Sequence, residues 1–225
     1  MKLLNILLAG SFMTVGAHAA TISGGSFTNP LQTTEISQTG NLSLFNSTLG
    51  TLTGVSLTFT GANVTTITLK NNATQSQTTK ATSTTDLFFG SSIAALNGLI
   101  SSSNPLVSLS ETTGFVTLAS GASQAFGPLS DGQSTIWTSQ LSGILSSFVG
   151  SGNFSLSCNS ISGIAISGGG GNISSTQATQ AGCGAALTYT YTPTVVTVPE
   201  PASLALVGAA LIGLALSTRK RKNVA

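Results

Sequence analysis

The sequence predicts an all-β body, an antiparallel β-sandwich, between an N-terminal export segment and a C-terminal hydrophobic helix. Three observations carry this. Apolar and polar residues alternate with period two in many short runs. Glycine- and asparagine-rich turns separate the runs at close spacing. No strand-helix-strand rhythm is present, and 26 glycines and abundant threonine suit strands and turns better than helices. A parallel β-helix is the competing reading, but no fixed repeat period supports a solenoid.

The clearest alternation lies in Asn41 to Lys70. In "NLSLF", Leu42 and Leu44 share a face; in "TLTGVSLTFT", Val55, Leu57 and Phe59 do so, with Gly54 at a bulge; in "NVTTITLK", Ile67 and Leu69 continue the pattern. Gly50, Gly61 and Asn71-Asn72 are read as turns. The polar stretch "NNATQSQTTKATSTTD" is read as a long hairpin or surface loop, and "LFFGSSIAALNGLI" admits a short helix. "PLVSLS", "GFVTLAS", "STIWTSQL", "NFSLSC", "ISGIAIS" and "ALTYTYTP" are short strands, and "SQLSGILSSFVG" is a helical turn or loop. Trp137 and the phenylalanines are read as core, and "SGGGGN" from Ser167 as a turn or linker without the lysine of a phosphate loop.

Charge sets the limits on function. Charged residues are 5% of the 225, against roughly a quarter in an ordinary globular chain. Between Ala20 and Val198 only Lys70, Lys80, Glu35, Asp86, Glu111 and Asp131 are charged, a balance of −2. Two lysines cannot build a phosphate-binding surface, so nucleic acid is excluded as a partner. The four acids are read as solvated loop charges. A hydrolase would need two of them to meet in a cleft, and nothing in their spacing requires it. "DGQS" at Asp131 lacks the further oxygens of a calcium loop, and neither a metal nor a cofactor is implied.

The first residues, "MKLLNILLAGSFMTVGAHAA", carry a basic start at Lys2, an apolar run and an Ala17-His18-Ala19 cleavage pattern, the layout of a secretory signal peptide over residues 1–19. Cleavage after Ala19 starts the mature chain at Ala20; cleavage one residue later is the alternative. Either removes His18, the single histidine, and with it every Ser-His or Cys-His nucleophile pair and every histidine-based zinc site. Two cysteines remain, Cys158 and Cys183, and an even count in an exported chain predicts a disulfide. Asn-x-Ser/Thr triplets begin at Asn41, Asn46, Asn63, Asn72, Asn153 and Asn172 and would permit glycosylation.

Residues 198–225 form a third region, after a body at 20–197. Pro199-Glu200-Pro201 is extended and cannot join a following helix. The apolar run Ala202 to Leu216 would span roughly 22 Å as a helix, less than the ~30 Å hydrocarbon core, so it is a marginal membrane span. Arg219, Lys220, Arg221 and Lys222 form a stop that stays in the cytoplasm by the positive-inside rule. The order Val198-Pro199-Glu200-Pro201, apolar run, basic cluster resembles the PEP-CTERM sorting signal of Gram-negative bacteria. The resemblance implies recognition of Pro199, Glu200 and Pro201 by exosortase, a membrane-embedded cysteine transpeptidase. It also implies transient anchoring in the inner membrane, then passage to the cell surface or matrix.

The body is similar to the choice-of-anchor E domains in "FNSTLGTLTGV", through Phe45, Leu49, Gly50, Leu52 and Val55, with Asn46 where an aspartate is usual, and in "LTYTYTPTVVTVPEP". That likeness implies an exported β domain and no substrate. The functional expectation is a non-enzymatic structural or adhesive protein of the surface or matrix. An exopolysaccharide-binding module is the alternative, and a carboxylate-pair hydrolase a third reading.

Overall fold

A computed structural model describes residues 18–194 and 207–212. The chain divides into two units, Met1–Pro193 and Thr194–Ala225. Of the second unit the described parts are Thr194 and a helical turn at 207–212, where the apolar Val207, Leu211 and Ile212 are exposed. The signal-peptide core, Ala17, Pro199, Glu200, Pro201 and the Arg219–Lys222 cluster lie outside the described residues. Among the described residues no helix is long and apolar enough to cross a membrane.

The body is the predicted sandwich of two antiparallel sheets. Its strands are β1 (Ala20–Thr28), β2 (Gln32–Thr33), β3 (Ser37–Ser43), β4 (Gly50–Asn71) and β5 (Gln77–Ser91), then β6 (Val107–Thr112), β7 (Val116–Leu118), β8 (Ser123–Trp137), β9 (Asn153–Gly168) and β10 (Ile173–Pro193). One sheet runs β1-β10-β4-β8, with β2 also on β10; the other runs β3-β9-β5-β6, with β7 also on β5. The helix α1 (Ala94–Ser103) follows β5, as "LFFGSSIAALNGLI" allowed. It buries Leu96 and Ile100, one turn apart on one face.

The long strands β4 and β10 pair from Gly50↔Pro193 to Asn71↔Ile173. The register shifts beside Gly54, where Thr53 is the extra residue, so the predicted bulge is present. Inward positions of β4 alternate along its whole length. Val55, Leu57 and Phe59 enter a large core with Phe45, Phe89, Trp137, Leu187 and Tyr189. The Phe59 ring stands edge-on to Phe89 at 5.0 Å and to Trp137 at 5.4 Å. Further along, Ile67 and Leu69 enter a smaller core with Ala81 and Leu118. The Tyr189 hydroxyl donates to the Ser43 carbonyl at 2.7 Å, and burial holds the phenol above its usual pKa range.

Four expectations need correction. Gly61 is not a turn but an inward position of β4; a Cβ there would collide with the Leu87 and Val107 side chains of the facing sheet. "NNATQSQTTKATSTTD" is a tight turn at 72–76 followed by strand, not a loop. Thr79, Ala81, Ser83 and Thr85 of β5 all point inward and are buried. Small β-formers carry that alternation, so it shows no contrast in hydropathy. "NFSLSC" and "ISGIAIS" are one strand, β9, and the first half of β10 precedes the predicted "ALTYTYTP". "STIWTSQL" ends its strand at Trp137, and its last residues belong to the 3₁₀ turns of Ser139–Phe148.

The predicted Cys158–Cys183 disulfide is formed, with Cα atoms 6.6 Å apart. It ties β9 to β10 and therefore one sheet to the other. Gln38, buried, accepts from the Cys183 backbone N–H at 3.1 Å and donates to the Pro30 carbonyl at 2.8 Å, which holds the β1–β2 connection over β10. Gly182 lies under that connection; a Cβ there would stand 2.9 Å from the Asn29 carbonyl oxygen.

Two predictions follow from this packing. Replacing both cysteines by alanine in the full chain should lower unfolding stability by about 3 kcal/mol through the unfolded chain, read as a lower urea midpoint. Gly182→Ala should cost about 1–3 kcal/mol by overpacking, whereas Gly98→Ala, in open space on α1, should leave the midpoint unchanged or raise it.

Candidate functional site

Between the two cores lies a polar layer that neither core's pattern announces. Asn63 of β4, only 1% exposed, donates through Nδ2 to Thr85 Oγ1 at 3.2 Å, and its Oδ1 accepts from the Asp131 backbone N–H at 3.2 Å. Thr85 Oγ1 and Ser162 Oγ are 3.3 Å apart, and Thr65 Oγ1 and Thr179 Oγ1 2.7 Å. Gln177 donates to Ser83 Oγ at 3.1 Å and to Thr179 Oγ1 at 2.7 Å. Buried polar groups cost stability unless paired, and these pair almost entirely with one another.

Four acids were expected as solvated loop charges. Glu35 sits on the β2–β3 connection and accepts from Ser162 N at 2.8 Å and Ser160 Oγ at 3.1 Å. Asp86 lies on the outer face of β5. Asp131 belongs to β8, and its carboxylate accepts three bonds: Oδ1 from Gly132 N at 2.8 Å and Gln133 Nε2 at 3.2 Å, and Oδ2 from Ser110 N at 3.1 Å. Asp131 thus fastens the edge strand β6 to the edge strand β8.

Glu111 overturns the expectation outright. It points inward from β6 in register with Val107 and Leu109, is 6% exposed, and neither carboxyl oxygen has a hydrogen-bond partner among the described residues. Burial pushes its pKa above the ordinary carboxylate value and the Asp131 charge pushes the same way, against the pull of the nearby Asn63 amide and of its own backbone. Sequence reasoning missed it because acids are seldom buried. The signal was present in "VSLSE", whose alternation places Glu111 on the apolar face. A buried acid beside an ionised one resembles a general acid and its partner. Here both Glu111 oxygens are closed to solvent.

Other candidate positions fall out simply. Asn63, as a core residue, cannot accept a glycan, while Asn41, Asn72, Asn153 and Asn172 are exposed. Asn46 accepts from Thr48 N at 3.0 Å and caps the 3₁₀ turn Ser47–Leu49. "SGGGGN" is the turn between β9 and β10. Trp137 is core, as are Phe45, Phe59, Phe89, Phe148 and Phe154, while Phe115 is exposed under the Lys80 ammonium, 5.2 Å from its ring centre. Groups of three or more His, Cys, Asp or Glu residues able to hold a metal are absent among the described residues.

The two ends of the body meet. Ala20, the first residue of β1, pairs with Tyr191, and β10 ends two residues later at Pro193. The chain therefore enters and leaves the body at the same end of one sheet.

Comparison with known proteins gives little for the body and a definite result for the tail. No curated protein matches the chain. Solved structures that align include a T13 particle of infectious bursal disease virus (10% identity, TM-score 0.16), the virus's Gx strain (11%, 0.17) and its VP2 subviral particle (13%, 0.18). Each alignment covers 91% of this chain and 47%, 48% and 49% of the viral chain, so the chain spans about half their length. Residues 197–222 match the PEP-CTERM protein-sorting motif, which takes in Pro199, Glu200, Pro201 and Arg219 to Lys222. The chain thus carries a PEP-CTERM motif, the mark of an exported protein that transits the membrane and is recognised and sorted by exosortase.

Proposed function

We propose that the protein is a non-enzymatic structural or adhesive component of the bacterial surface or extracellular matrix. It is led out by residues 1–19, held for a time in the inner membrane by residues 198–225, and released after exosortase acts near Pro199-Glu200-Pro201. The sorting motif at 197–222 carries this reading. Two features of the body support it. Strand β1 begins at Ala20, where the mature chain would start, so removing residues 1–19 leaves every β1 pairing in place. Both ends of the body emerge together, so a leader at one and an anchor at the other tether it by a single end. The body's likeness to choice-of-anchor E domains belongs to the same proposal; of the residues that carry it, Phe45 and Val55 are core.

Exopolysaccharide binding is the second reading, favoured by the outer face of the β1-β10-β4-β8 sheet. Its cross-strand rows are Ser23-Thr188-Ser56, Thr28-Gly184-Thr60-Ser134 and Thr176-Thr68-Ala125. Lys70 is the one charged side chain in the paired rows of this face among the described residues. A neutral face with rows of hydroxyls suits a neutral polysaccharide better than a charged one.

Deleting residues 198–225 should move the protein from the surface or matrix fraction into the periplasm or medium; unchanged localisation would remove the sorting role. N-terminal sequencing of the exported form should read from Ala20, and a start at Met1 would remove the leader.

A further inference from the structure

The buried carboxyl of Glu111 has no work in the sorting of the chain, yet its surroundings give it one. Every other buried polar side chain of the layer between the cores is hydrogen-bonded; Glu111 alone has two unpartnered oxygens among the described residues. A carboxylate sealed in this way is costly, and only a proton or a bound cation would neutralise it. The neighbouring oxygens decide between them. Both Asp131 oxygens are occupied by N–H donors, and Asn63 Oδ1 by another. A cation would find one free ligand, far short of the six to eight oxygens calcium requires. A proton needs only one.

We propose that Glu111 is a proton-operated latch on the seam where the edge strands β6 and β8 meet: with Glu111 protonated the seam is closed, and ionising Glu111 beside Asp131 loosens it. The groups that face Glu111 are few. From β8 comes Asp131, whose carboxylate accepts three N–H donors; from β4 comes Asn63 and from β5 Glu111's pairing partner Ser83, neither titratable. Lys80 and Asp86 of β5 and Lys70 of β4 lie at outward positions of their strands. No cation faces the pair among the described residues, so a second negative charge at Glu111 would stand uncompensated next to Asp131.

The direction of the pH effect follows from the raised pKa of Glu111. The folded state binds this proton more tightly than the unfolded chain does. The stabilisation is therefore complete below the ordinary carboxylate range and is lost as pH rises through Glu111's own higher value. Glu111→Gln, a neutral shape mimic, removes that dependence.

The test compares thermal unfolding of the full-length chain and its Glu111→Gln variant from pH 3, below the ordinary carboxylate range, to pH 8. The latch predicts closely similar melting temperatures at the acid end, and a variant more stable than the natural chain by roughly 2–4 °C at pH 8. An infrared difference spectrum between the two pH values supplies a second readout. A protonated-carboxyl band should vanish as pH rises in the natural chain, and this change should be absent from the variant. A melting-temperature difference that is constant across the range would overturn the proposal. So would a melting temperature that follows added calcium in the natural chain and not in the variant, because a cation would then occupy the site. If the variant does not fold, the infrared change in the natural chain decides alone: with no carboxyl band lost as pH rises, the latch is excluded.

Discussion

The body depends on the pairing of β4 with β10. A strand of 22 residues extends about 70 Å, and its inward face must be covered along the whole of that length. One compact apolar core cannot do this, so the sequence supplies two, at Val55–Phe59 and at Ile67–Leu69. It fills the interval with Gly61, Asn63 and Thr65. Gly61 lets the sheets approach closely, Asn63 binds across to β5, and Thr65 binds the neighbouring β10. The disulfide between β9 and β10 lies at the same inter-sheet surface, fixing the separation of the sheets where side-chain volume is smallest.

The poverty of charge follows from this geometry. Long strands in two facing sheets need inward residues that are apolar or small and neutral, and outward residues that favour extended backbone. Threonine serves both, because its branched side chain suits the pleat and its hydroxyl bonds to neighbours when buried. The sheet edges are managed with few charges. The β6 and β8 edges lie against each other, joined by Asp131 to Ser110 N and by Thr135 Oγ1 donating to the Leu106 carbonyl at 2.6 Å. On the other side β1 contacts β3. An edge that faces another edge is a poor template for a foreign strand.

The legible parts of this fold are those where large apolar side chains mark the inward face. Val55, Leu57, Phe59 and Tyr189 announce their strands, and the Cys158–Cys183 bridge follows from cell compartment and count. Strand β5 and the first half of β10 were illegible because their inward residues are threonine, serine and alanine, which a hydropathy pattern cannot separate from a loop. The polar layer was hidden for the same reason. Glu111 was hidden for a different one: its position in the alternation was readable, but the general rule that acids are exposed outweighed the local register. The tail was legible because its three features, Pro-Glu-Pro, apolar run and basic cluster, are contiguous in sequence and need no tertiary context.

The order of the strands bears on how the body forms after export. β4 waits for β10, more than a hundred residues further along, and β1 waits for it too. Pairings this distant in sequence form slowly. Until β10 has crossed the membrane, the β4 face that will carry Leu57 and Phe59 has no β10 beside it, and unpaired strands invite association with other chains. A tail that detains the chain at the membrane, as proposed, keeps the last strand near the first while the sheet closes. On the same proposal, sorting acts on a chain whose β10, ending at Pro193, is already paired on both sides. The spacing between the final strand and the motif is thus a constraint of folding as much as of recognition: a motif moved into β10 would be locked in the ladder before exosortase could engage it.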